Sequence, residues 1–139
     1  QLDSYAAMFS TLDPATKLPR RAWNPSSGLI DRAVIENDWS RFDVSRMVRA
    51  DPSRHLPTMR DKVRLLVGAR DNFYLERAVE RLKAAVTEAS SKAPLPTGSP
   101  VPVGYIEIVP DATHFSLPAI SRLRWFGEMR DHLRAHGLD

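Results

Sequence analysis

The chain has 139 residues, 42% hydrophobic and 27% charged, with a formal net charge of +3 and a pI near 9.6. These values suit one globular domain or part of one. The absence of cysteine excludes disulfides, thiol nucleophiles and thiolate metal sites. No apolar run approaches the roughly 18 residues that cross a bilayer, and the arginines are scattered, so neither a membrane nor a nucleic-acid partner is expected.

Residues 1–58 are interrupted by Pro14, Pro19, Pro25, Pro52 and Pro57. Each removes a backbone donor, so this stretch reads as an irregular, partly helical covering segment. Two short helices are expected in it. One spans Leu29 to Trp39, with Leu29, Ile30, Val34 and Ile35 on one side. The other starts at an Asp43 N-cap and stops before Pro52, because a residue preceding proline avoids the helical region. The chain starts at Gln1 rather than at a methionine, which fits a processed or truncated piece.

Residues 59–139 read differently. Lys62 to Gly68 is a short aliphatic run closed by glycine, the pattern of a strand buried in a parallel sheet. Ala69-Arg70-Asp71-Asn72 forms a polar turn. A helix follows from Tyr74 to Thr87, with Leu75, Val79, Leu82 and Val86 as its apolar stripe. A proline-rich loop over 90–103 leads to a second strand, Tyr105 to Val109. After the Asp111–Phe115 loop, a last helix runs from Pro118 to His136, with Gly137 at C′ and Ile120, Leu123, Phe126 and Leu133 expected on its buried face. Strand–helix–strand–helix order implies α/β architecture with a parallel sheet. Two strands are too few for an independent sheet, so further strands are expected from outside this segment. The expected core is Leu65, Leu66, Val67, Ile106 and Ile108, flanked by Leu75, Val79, Leu82, Leu123 and Phe126.

In open α/β sheets, ligands bind beyond the carboxyl ends of the strands. Asp71 lies three residues past Gly68, and His114 five past Val109. Parallel neighbouring strands would place both on one rim, where a carboxylate can orient a general-base histidine. Other readings stay open beside this one. Asp71 can serve as a helix N-cap, His114 as a surface-loop histidine, and Asp111 as a rival partner or a turn residue. His132 and His136 have metal-ligand spacing, but with no third ligand nearby they read as a solvated helix end. No metal or cofactor is expected.

Residues 63–75 (VRLLVGARDNFYL) resemble the acid-bearing turn of the esterase D-like family of α/β-hydrolases, and residues 106–115 (IEIVPDATHF) resemble its final strand and histidine loop. Leu12-Asp13-Pro14 and the Trp39–Phe42 stretch are similar to the variable region this family carries before the acid strand. The family often has glycine where this chain has Thr113. The resemblance implies a partial α/β-hydrolase fold, the carboxy-terminal half of a serine-type ester hydrolase or acyl transferase. Asp71 and His114 would be two triad members, and Trp23, Trp39 and Phe42 candidate substrate-pocket residues. The Gly-x-Ser-x-Gly elbow of the fold does not occur in the sequence. The serine and oxyanion hole would then lie outside the chain, and the isolated chain would be inactive. The expected partners are a small ester or acyl substrate and either the amino-terminal half of the same protein or a self-association partner. The alternative is a non-catalytic α/β module used for binding.

Overall fold

The computed structural model describes residues 2–94 and 103–138. Among them lie six α-helices and two strands: α1 (Leu2–Phe9), α2 (Arg32–Val34), α3 (Val44–Ala50), α4 (Pro52–Asp61), β1 (Arg64–Gly68), α5 (Leu75–Lys92), β2 (Tyr105–Val109) and α6 (Leu117–Ala135). A π-helical turn (Ile35–Trp39) and a 3₁₀ turn (Ser40–Phe42) continue α2.

The expected helix from Leu29 to Trp39 begins only at Arg32. Leu29 and Ile30 belong instead to a hairpin, where Ile30 bridges Trp23 in antiparallel fashion, and both side chains are exposed. The cause is local hydrogen-bond competition. The Asn24 carboxamide accepts the N–H groups of Ser26 and Ser27, and Gly28 takes φ +70°, which closes the turn before any helix can start. The same device occurs eleven residues earlier. Asp13 accepts Ala15 and Thr16, Lys17 takes φ +59°, and Leu12 bridges Pro19. Residues 12–18 (LDPATKL) and 23–29 (WNPSSGL) are thus two copies of one Asx-turn hairpin.

Asp43 caps α3 as expected, accepting the N–H groups of Ser45 and Arg46. Helix α4 is not among the elements the sequence predicts. Asp51 caps it and Pro52 occupies its first turn, where a missing N–H costs nothing. Pro57 lies inside it. The two helices pack on α5 through Val48, Leu56, Ala85 and Ala89, which form one buried cluster.

Strands β1 and β2 pair in parallel, with Arg64 opposite Tyr105 and Gly68 opposite Val109. Their boundaries match the two apolar runs to within two residues. Leu66, Ala112 and Leu117 form a second buried cluster, backed by Tyr105 and Val109. Leu66, Val67 and Val79 are buried as expected, whereas Leu65, Leu82, Ile106 and Ile108 are only half-buried. Leu75, Leu123 and Phe126 are exposed, and so are Ile120 and Leu133, so the expected buried face of the last helix is corrected. That helix lies on the strands by a different stripe: Leu117 and Ser121 are buried, and Arg124 and Glu128 bond to the sheet. Helix α5 runs on to Lys92, so the expected loop does not start at residue 90, and residues 95–102 of that loop lie outside the described ones.

Candidate active site

The two polar turns are locked to each other through the backbone. Beyond β1, Ala69 N–H donates to the Val109 carbonyl at 2.9 Å, and Arg70 N–H donates to the Ala112 carbonyl at 2.9 Å. Gly68 makes this approach possible, since a Cβ there would run into the carbonyl of fully buried Ala112. Asp111 takes φ +57°, which turns the chain back after β2. It is a turn residue and makes no bond to His114 among the described residues. The loop then closes on itself: Thr113 N–H donates to Ser116 Oγ at 2.8 Å, and Ser116 N–H donates to Thr113 Oγ1 at 3.1 Å. Thr113 therefore contributes a loop-closing hydroxyl.

These turns bring Asp71 and His114 together, with Nδ1 of His114 3.0 Å from Oδ2 of Asp71. The Asp71 side chain is 1% exposed and the His114 side chain 42%. The other carboxylate oxygen, Oδ1, accepts Phe73 N–H at 2.8 Å and Leu75 N–H at 3.5 Å. Asp71 therefore holds the turn before α5 with one oxygen and the His114 ring with the other. Tyr74 is the residue before α5, adopts φ +59° and offers no side-chain cap, so of the free helix donors Asp71 reaches one, the Leu75 N–H. Burial raises the Asp71 carboxyl pKa, but the Phe73 N–H, the His114 ring and the Leu75 N–H outweigh it, and the group lies below its ordinary value.

A carboxylate can only accept, so the proton of neutral His114 sits on Nδ1 and Nε2 carries a lone pair. Nε2 makes no hydrogen bond among the described residues. Phe73 meets the imidazole edge-on at 4.8 Å between centroids and Phe115 at 5.6 Å. Both phenylalanines are themselves exposed, so the histidine sits in a small open aromatic collar. The sequence reading did not single out Gly68, Phe73, Phe115 or Ser116. The glycine closing the β1 run and the phenylalanines beside both polar turns were the available signals.

Trp23, Trp39 and Phe42 do not share one cavity. Trp39 and Phe42 line a cavity of about 300 Å³ with Phe9, Ile35 and Arg46, and Trp23 lines another of about 670 Å³ with Asn24 and Leu29. Neither lining includes Asp71 or His114. The acid–base pair stands at the amino-terminal end of α5, while α3 packs along its later turns, with Val48 against Ala85 and Ala89. His132 and His136 lie on the last turns of α6. His136 Nδ1 donates to the His132 carbonyl at 2.8 Å, and no group of three metal-ligating side chains occurs among the described residues. No described helix is long and apolar enough to cross a membrane.

No family model, curated protein or solved structure matches the chain.

Proposed function

We propose that this chain is the carboxy-terminal part of an α/β-hydrolase that cleaves carboxylic esters or transfers their acyl groups. In this reading Asp71 and His114 are the acid and base of a triad whose serine lies on another segment. One observation carries the reading: the ring nitrogen of His114 meets a buried, doubly anchored carboxylate at the carboxyl ends of two parallel strands. A half-exposed histidine held in one tautomer, with a bare Nε2 pointing away from its carboxylate, is the form a general base requires.

The chemistry follows from that tautomer. Nε2 takes the proton of the serine hydroxyl as its oxygen attacks the ester carbonyl. The tetrahedral intermediate collapses, the alkoxide leaves with the proton from Nε2, and the acyl group stays on serine. Water repeats the sequence in reverse and releases the acid, or an alcohol does so and the acyl group is transferred. Asp71 stays ionised and offsets the positive charge that the ring acquires twice per cycle. The phenylalanines beside the ring would lower the local dielectric and strengthen that interaction.

The test is turnover of a short-chain activated ester by the full gene product, beside its His114→Ala and Asp71→Asn variants. Asp71→Asn should lower kcat by about 10⁴-fold, because the amide favours the wrong tautomer, and the 139-residue chain alone should show no turnover above background. An inactive full gene product would favour the non-catalytic binding module.

A further inference from the structure

His114 does not stand alone at the open end of the strands. Its ring, Phe73 and Phe115 form a three-ring cluster, with centroids 4.8 Å apart from Phe73 to His114, 5.6 Å from His114 to Phe115 and 5.9 Å from Phe73 to Phe115. The ring planes cross at 88°, 84° and 66° in the same order, the edge-to-face packing that aromatic rings favour. Yet Phe73 is 59% exposed and Phe115 72%. Both belong to backbone segments fixed by the hydrogen bonds that build the acid–base pair. Phe73 N–H donates to Asp71 Oδ1 at 2.8 Å, and Phe115 lies in the loop that Thr113 and Ser116 close. Two large apolar rings are thus held in place beside the histidine and left open, the pattern of a surface that receives an apolar group.

We infer that Phe73 and Phe115 bind the alcohol portion of the ester, so that the site favours neutral esters of aromatic or bulky apolar alcohols. The inference rests on the esterase reading and follows the path of the proton. In the tetrahedral intermediate the protonated Nε2 of His114 donates to the leaving oxygen. The carbon–oxygen bond breaks, the alcohol departs with that proton, and the acyl group remains on the serine. The leaving oxygen must then lie about 3 Å from Nε2. A group of ring size attached to that oxygen spans the distance to the phenyl rings. The acyl chain hangs from the carbonyl carbon, one bond further from Nε2. Among the described residues, the one ionic contact of the cluster is Asp71, whose side chain is 1% exposed and has both oxygens engaged. What the two rings supply to an alcohol is therefore apolar contact and edge-to-face packing rather than charge.

The experiment measures kcat/KM of the full gene product on benzyl butanoate and methoxyethyl butanoate, whose acyl groups are identical and whose alcohols have similar acidity. The benzyl ester should be favoured at least roughly tenfold. Phe73→Ala and Phe115→Ala truncate exposed side chains and empty no core. Each should cut that ratio by roughly threefold or more. A fall on both esters with the ratio unchanged would mean that the rings only hold His114 in place, and would overturn the inference. Equal kcat/KM for the two esters in the parent would overturn it too, while leaving the esterase reading standing. The same holds for an aromatic preference found only on the acid side, as methyl phenylacetate over methyl butanoate. No turnover of any of these esters would overturn the esterase reading and the inference together.

Discussion

Replacing Gly68 by alanine tests how the acid–base pair is positioned. The added methyl would overlap the Ala112 carbonyl, a backbone group that no rotamer change can move aside. Restoring van der Waals contact needs a shift of about 1 Å between the end of β1 and the histidine loop. Ala112 is fully buried and tied to Arg70 by a 2.9 Å hydrogen bond, so the shift strains that bond as well. Overpacking of this kind costs about 1–3 kcal/mol, which exceeds the 0.5–1 kcal/mol that alanine ordinarily gains over glycine through backbone entropy. Gly127 supplies the contrast. It sits within α6 with open space where a Cβ would go, so Gly127→Ala should stabilise by about 0.5–1 kcal/mol. Urea melts of the two variants should move in opposite directions from the parent. Coincident melts for Gly68→Ala and the parent would refute the close approach, and with it the account of how Asp71 reaches His114.

Other perturbations follow from the same contacts. Leu66, 9% exposed and packed on Ala112 and Leu117, should cost about 2–5 kcal/mol on truncation to alanine, read from urea melts. Asp38 is buried and accepts both the backbone N–H and the hydroxyl of Thr11, at 3.1 and 2.9 Å. Asp38→Ala should therefore cost about 1–3 kcal/mol and speed limited proteolysis within residues 10–20. The folded-state pKa of Asp71 is depressed, so its contribution to stability is complete above the unfolded value of about 4. It is lost as pH falls through the lower folded value. The stability difference between the parent and Asp71→Asn should accordingly shrink below about pH 4, and a difference constant down to pH 2 would contradict the assignment.

The strands were legible in the sequence because a short β-branched run closed by glycine or proline has few alternatives. Asp43 was legible as a cap because aspartate before a helix has one dominant use. The pairing of Asp71 with His114 was readable from strand order, since parallel neighbours put successive turns on one rim. Leu29 and Ile30 misled because apolar residues close to Val34 and Ile35 mimic a helical face, while the Asn24 turn that captures them depends on side-chain hydrogen bonds that periodicity does not register. Helix α4 was masked by Pro52 and Pro57, although proline in a first turn favours a helix start. In α6 the leucines and phenylalanine that hydrophobicity places inward are exposed. The Arg124–Glu107 and Tyr105–Glu128 bonds hold the opposite side against the strands. Hydrophobicity alone does not show which face of a helix meets polar partners across a sheet.

The most direct test of the proposed triad is to treat the full gene product with a fluorophosphonate, which labels an activated serine covalently, and to locate the adduct by mass spectrometry. The account predicts one modified serine, outside the 139 residues described by this sequence, with labelling lost in both His114→Ala and Asp71→Asn. An adduct on a serine within the chain, or labelling that survives His114→Ala, would contradict it.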